Sequence, residues 1–387
     1  MKEIIKIIAK REYQRMKNNP IYWFSIIFAP LLCVVFFTTM MWQGLPTNLP
    51  IGMVDQDNTT TTRKIARNLD AFQQTAIVQN YPDVSSARRA VQRGEIYAFY
   101  YIPKGTTAKA NAQKIPTISF YTNYAYLIAG SLVMRDMRMM SELASGSAGR
   151  SVLYARGATE QQALAFLQPI VVDSHATNNP WLNYNIYLSN TIVPGILGIF
   201  LFMMTVYSIG TEIKEGTAHD WILKARGNMH LALIGKLLPN TLLFLLVGWT
   251  IVFYFYGYMH FPCNSGITDM LILMTLFIFS CEALGVLMIT ILPTLRMGLS
   301  FASLWGVLSL SICGMSFPVM AMHPALQGLS WLFPLRHYFI LYVNCALDGY
   351  NLTNAWPYLA ALAGFILLSI ITTPILKREL LTVKYVP

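Results

Sequence analysis

Six apolar runs, near residues 21–43, 188–210, 231–257, 268–292, 298–320 and 357–376, constrain this chain more than any other feature. Each is long enough to cross about 30 Å of hydrocarbon as a helix, a structure that satisfies its own backbone hydrogen bonds in lipid. With 55% hydrophobic and only 12% charged residues, a soluble fold has no means of hiding that surface. The expected fold class is an α-helical integral membrane protein with six transmembrane helices.

A formal charge of +10 raises nucleic acid as a partner, but Lys and Arg gather at the ends of the apolar runs instead of alternating with aromatics on a soluble face, so no nucleic acid is expected. Lys2, Lys6, Lys10, Arg11, Arg15 and Lys17 precede the first run, within an amphipathic helix over 1–20, and place the N-terminus in the cytoplasm. Lys214, Lys224 and Arg226 after the second run, Arg296 after the fourth, and Lys377, Arg378 and Lys384 in the tail 377–387 then fall on the same side. Residues 258–267 carry no Lys or Arg and belong outside. The first run is too long for a cleavable signal peptide, and no small-residue cleavage site follows Trp42, which reads as an uncleaved anchor. Cys33, Cys281 and Cys313 lie inside the runs as small apolar residues; Cys263 and Cys345 share the outer side, where a disulfide between them is left open by sequence.

Residues 44–185 form the largest polar segment, expected as an inserted extracytoplasmic α/β domain. Leu49–Val54, Ile96–Ile102 and Thr117–Tyr121 are β-rich, whereas Thr60–Gln74, Val84–Arg93 and Ala125–Arg156 carry helical spacing. Asp57 and Asn58 are expected to cap the first of these helices and Asp83 the second. Residues 321–354 are too apolar for an aqueous loop and too broken by proline for a straight span; a re-entrant helical hairpin before the last helix fits them.

Four stretches occur in a diagnostic order. Arg11-Glu12 runs through Asn19-Pro20 to Pro30; Leu49-Pro-Ile-Gly-Met-Val-Asp-Gln-Asp57 precedes Ile102-Pro103. Ile192-Val-Pro-Gly195 leads to Glu212-Ile-Lys-Glu-Gly-Thr217, Gly235-Lys236 and Pro239; Gly314-Met-Ser-Phe-Pro318 precedes Pro324, Leu326-Gln327, Pro334-Leu335 and Gly349. Together they resemble the permease subunits of type-2 ABC exporters, in the multidrug-efflux-like branch with a large periplasmic domain between the first two spans. The family pattern usually continues from Gly-Thr into Leu-Glu and later a Pro, where this chain has Ala218-His219 and Ala225. The resemblance implies that the cytoplasmic loop 211–230 packs on a separate ATPase, with Glu212, Lys214, Glu215, Gly216 and Thr217 as coupling residues. Charge pattern alone also fits a solvated linker in which Thr217 caps a helix.

Glu282 lies inside the fourth run, where an ionisable residue costs roughly 2.5–3.5 kcal/mol at the centre of a span. Either it lines a substrate path or couples to a cation, or it is a protonated acid hydrogen-bonded between helices. Phe200, Phe202 and Tyr207 are the aromatic candidates for that path. Pro318, Pro334, Arg336 and His337 mark the re-entrant segment; for Arg336 and His337 an ion pair with nearby Asp348 or a headgroup contact competes with a substrate role.

No Gly-rich phosphate loop, His-Glu-x-x-His pair or zinc-type Cys/His spacing occurs, so the chain is expected to be no enzyme and to bind no cofactor, with ATP and Mg²⁺ on the partner ATPase. The expected function is a transmembrane permease subunit of an ATP-driven exporter, multi-pass in the cell inner membrane. It would move an amphipathic or hydrophobic substrate outward with a second permease, membrane lipid and a periplasmic adaptor as further partners. A ligand-sensing membrane receptor is the alternative. A lipid- or glycan-modifying enzyme would need a convergent acid, base or metal set that the sequence lacks.

Overall fold

The computed structural model describes residues 1–112 and 114–383, which divide into two compact units: Met1–Gly44 with the chain from Ala176 on, and Leu45–His175. Ten helices of the first unit position the candidate site. They are α1 (Lys2–Asn18), α2 (Pro20–Met40), α3 (Asn185–Lys214), α4 (Ala218–Lys224), α5 (Met229–Tyr258), α6 (Ile267–Ile291), α7 (Leu295–Ile312), α8 (Pro324–Ser330), α9 (Pro334–Tyr342) and α10 (Leu352–Thr382).

Six of these, α2, α3, α5, α6, α7 and α10, are long and apolar enough to span a membrane. They are not equivalent. The most apolar stretches of α6, α3 and α5 are 72, 67 and 56% buried, against 39, 22 and 17% for α2, α7 and α10. Three helices therefore make the packed centre and three present apolar faces outward. In lipid the hydrophobic effect gives helices no reason to associate, so close packing must hold them. At Gly306 of α7 an added Cβ would stand 2.6 Å from Ile199, and at Gly195 of α3 only 2.4 Å from Leu310, so the α3–α7 crossing needs both glycines.

The fifth span is shorter than the apolar run 298–320. It starts at Leu295 and stops at Ile312, because Gly314 adopts a left-handed φ of +101° and Pro318 follows. Its 18 residues reach about 27 Å, near the lower limit for a span. Between α7 and α10 two short helices, α8 and α9, each begin with a proline at the first position.

Asn19 separates α1 from α2. Its extended backbone ends α1, its side chain accepts from the Ile21 amide at 3.0 Å, and Pro20 opens α2.

The second unit holds a four-stranded sheet in the order β2-β1-β3-β4, with β1 (Leu49–Asp55), β2 (Thr75–Asn80), β3 (Ala98–Ile102) and β4 (Ser119–Thr122). β1 pairs in parallel with β2 and β3, while β4 runs antiparallel to β3. Helices Thr60–Asp70 and Val84–Gln92 make the crossovers. Alternation sorts the core: Ile51, Met53 and Tyr100 pack with Leu69, Val133 and Met137 on one face, and Val54 and Phe99 with Ala87 and Ala90 on the other.

Of the two caps expected here, one is found and the other differs. Asp83 accepts from the Ser86 amide at 2.8 Å and caps its helix. The helix at residue 60 is instead capped by Thr59 in a reciprocal box with Thr62. Asp57 turns to the start of a later helix, where the Gly105 and Thr107 amides donate to it at 2.7 and 2.9 Å. The Thr107 side chain first, with these amide bonds behind it, holds its carboxyl below the usual range despite some burial.

Candidate functional site: a charge-balanced junction beneath α4

Lys236 lies two turns into α5 with no solvent exposure. An isolated ammonium there would be costly, and three features compensate. Its Nζ donates to Glu12 Oε2 of α1 at 2.6 Å and to Glu212 Oε1 of α3 at 2.7 Å, and stands 5.1 Å from the centre of the Trp221 ring of α4. Glu12 and Glu212 are equally buried. The close approach of α1 to α5 rests on Gly235, where an added Cβ would meet Ile8 at 2.8 Å.

The remaining lone pairs are occupied. Ser208 and Tyr22 donate to Glu12 Oε1 at 2.8 and 3.2 Å. Arg11 holds both oxygens of Glu212 with its two terminal nitrogens at 2.8 and 2.9 Å, and Arg15 donates to Oε1 at 2.8 Å while also pairing with Glu215. Burial alone would pull the Arg11 guanidinium down; the hydrogen bonds and charge of Glu212 more than offset this and leave it above its ordinary value. Three carboxylates thus face three cations, drawn from α1, α3 and α5 and the turn after α3.

The coupling residues expected from sequence divide between two roles. Glu212 and Thr217 point inward, and Thr217 donates its hydroxyl to Glu212 Oε2 instead of capping α4. The amides of α4 lack the side-chain cap that sequence suggested, because the Thr217 side chain is turned away from them toward the buried carboxylate. Lys214, Glu215 and Gly216 are exposed at the turn, with Gly216 at φ +67°. Sequence reasoning about chemistry missed Glu12 and Lys236. The signal available for the latter was an ionisable residue inside an apolar run.

α4 is held from below. Trp221 and Ile222 are buried, and Trp221 Nε1 donates to the Ala232 carbonyl of α5 at 3.2 Å. Asn228 caps α5 through the His230 and Leu231 amides, and Lys377 of α10 donates to the Gly227 carbonyl at 2.6 Å. The opposite face of α4 presents His219, Asp220, Lys224 and an exposed Leu223. This combination can bind a partner on one side and transmit force to three membrane-associated helices on the other.

The other expected site residues do not join this junction, except that Tyr207 accepts from Asn19 at 2.9 Å and stacks edge-on against Tyr22 beside it. Phe202 is packed in the core and Phe200 is half-buried. Among the described residues, none of these three shares a hydrogen bond or ring contact with Glu282. Glu282 is buried on α6 with no cation within ion-pair distance among the described residues. Thr241 Oγ lies 2.9 and 2.8 Å from its carboxyl oxygens and 2.9 Å from the Leu237 carbonyl. A hydroxyl has one proton to give, so both contacts are made together when the carboxyl supplies a second.

Arg336 and His337 make no ion pair with Asp348. Arg336 donates to the Cys313 carbonyl at 3.0 Å and so closes the end of α7. His337 Nε2 donates to the Trp331 carbonyl at 2.9 Å, and Asp348 accepts from Asn178 at 2.6 Å. Pro318 lies just before a short turn of helix and Pro334 begins α9. All five cysteines are free thiols. The segments carrying Cys263 and Cys345 run side by side through Asn264 N donating to the Ala346 carbonyl at 3.0 Å, with no disulfide between them.

Residues 20–373 match the family model described as ABC-2 family transporter protein. No curated protein matches the chain significantly.

Proposed function

The chain belongs to the ABC-2 transporter family, and from that premise we propose that it is the permease of an ATP-driven exporter whose α4 receives the stroke of a partner ATPase. Membership of this family implies an ABC transporter permease without its own ATPase and association with an ABC ATPase subunit. The finer reading is export of an amphipathic or hydrophobic substrate across the inner membrane, with both termini and α4 in the cytoplasm and residues 45–175 outside. ATP and Mg²⁺ reside on the ATPase. A second permease subunit covers part of the outward apolar faces of α2, α7 and α10, and a periplasmic adaptor meets the exported unit.

The junction beneath α4 carries this reading. A displacement of α4 cannot be absorbed locally, because Trp221 abuts Lys236, and Lys236 is bonded to α1 and α3. Breaking any of those bonds would strand a buried charge, so the helices move with α4 as one piece. A ligand-sensing receptor would have no need of an exposed apolar residue, Leu223, on a helix backed by so stiff a support.

The test is co-purification with the candidate ATPase in lipid and ATP hydrolysis by the complex, comparing wild type with Gly216→Pro and Lys236→Met. Association with altered hydrolysis in both variants supports coupling through α4. If no ATPase associates and neither variant changes turnover, the receptor reading replaces it.

A further inference from the structure

α1 and α5 enclose a second feature, on the side of α1 away from the charge junction. An open groove of about 650 Å³ runs between them. One edge carries Lys2, Lys6 and Lys10, with Tyr13 beyond them; the other wall is apolar, including Leu238 and Leu242. We propose that this groove binds an anionic phospholipid from the leaflet at the α1 end of the bundle, headgroup on the lysines and acyl chain along α5.

The lysines recur every four residues, so they form one stripe along α1. All three are exposed, and none makes an ion pair among the described residues. The contrast lies on the same helix: Arg11 and Arg15 are both committed to Glu212, whereas this triad has no carboxylate to answer it. An anion must come from elsewhere.

The opposite wall identifies its kind. Leu238 and Leu242 are 37% and 58% exposed and belong to a helix long and apolar enough to span a membrane. In a bilayer that surface faces hydrocarbon, while Lys stems extend their ammonium groups toward the headgroups. Tyr13, half-exposed at the groove, is the amphipathic residue favoured at that level. A free soluble anion would answer the lysines and leave the leucine wall unused; a neutral lipid would do the reverse. A lipid with a negative headgroup matches both edges at once.

The occupant would also brace α1, the helix that supplies Arg11, Glu12 and Arg15 to the charge junction. The binding itself does not depend on ATP-driven export. Failure of the ATPase to associate would leave this groove and its lipid in place.

The experiment uses the full chain in nanodiscs of phosphatidylcholine containing a photo-crosslinking analogue of either phosphatidylglycerol or phosphatidylcholine, with labelled peptides mapped by mass spectrometry. Wild type is compared with Lys2→Gln/Lys6→Gln/Lys10→Gln, and with a control of equal charge change in the other unit, Lys64→Gln/Lys104→Gln/Lys109→Gln. Phosphatidylglycerol should label α1 and the 238–243 stretch, falling about fivefold for each lysine removed, with the control unchanged. Leu242→Trp fills the apolar wall while keeping every lysine; it should lower labelling too, and its melting profile reports whether the fold is intact. Equal labelling by the two lipids, or a triple variant that labels like wild type, overturns the proposal. So does loss of labelling when a protein partner is added, which would make protein the occupant.

Discussion

Lys236 of α5 and Glu12 of α1, 224 positions apart in the chain, meet at 2.6 Å with neither side chain open to solvent. The pair is completed by Glu212, so removing the lysine leaves two carboxylates facing each other in a site closed to water. Lys236→Met should therefore destabilise the protein by about 3–5 kcal/mol, read from unfolding in detergent. Combining it with Glu12→Gln should recover part of that loss, since one of the stranded charges is then gone. A double variant whose loss equals the sum of the two single losses would show that the pair contributes no coupling.

The exposed face of α4 gives a second prediction. Leu223→Asp places a charge where an apolar contact is expected, and should weaken association with the ATPase by about tenfold or more. Trp221 and the charge junction lie on the other side of the helix, so thermal stability of the permease alone should change little. A comparable loss of stability would mean that Leu223 supports the fold instead of a partner.

Glu282 separates by the kind of group that replaces it. Glu282→Gln retains a donor for Thr241 and should stay within about 1 kcal/mol of wild type in stability. Glu282→Lys puts a cation where no acid answers it and should cost about 3 kcal/mol or more. Equal damage from Gln and Lys would mean that the carboxylate is needed ionised.

In the unit spanning 45–175 two acids push its pH dependence in opposite directions. Asp57 has a depressed pKa, so its contribution is present above the ordinary carboxylate value of about 3.9 and is lost as pH falls through the lower folded value. Burial raises that of Asp136, with partial relief from Arg135; its contribution is present at acid pH and is lost as pH rises through the folded value. Protease resistance of this unit within the intact chain should fall near neutral pH in Asp57→Asn and rise there in Asp136→Asn. Opposite signs would reverse the assignment.

The spans were legible because length and apolarity suffice to specify a helix in lipid, whereas their ends were less so. Ser311 to Pro318 is still mostly apolar, and only the left-handed Gly314 shows that α7 has already stopped. β2 escaped notice for the opposite reason: Thr75 to Asn80 grows polar toward its end because it is an edge strand. Glu12 was hidden among the Lys and Arg residues of an amphipathic helix. Nothing local tells that it turns inward while Lys10 turns out; the partner that decides this is supplied by α5. Pairings across some 200 positions leave no periodic trace in sequence.

The Asn19 break and the distance between Glu12 and Lys236 together bear on how the protein is made. α1 leaves the ribosome well before α5, and its buried acid lacks the Lys236 ammonium until α5 has been synthesised and inserted. Until then water must take the place of that ammonium at Glu12, and the extended backbone of Asn19 leaves α1 joined to α2 by a single non-helical residue. α1 thus finds its seat only once α5 has arrived, and a nascent chain arrested before Lys236 should keep α1 open to proteases.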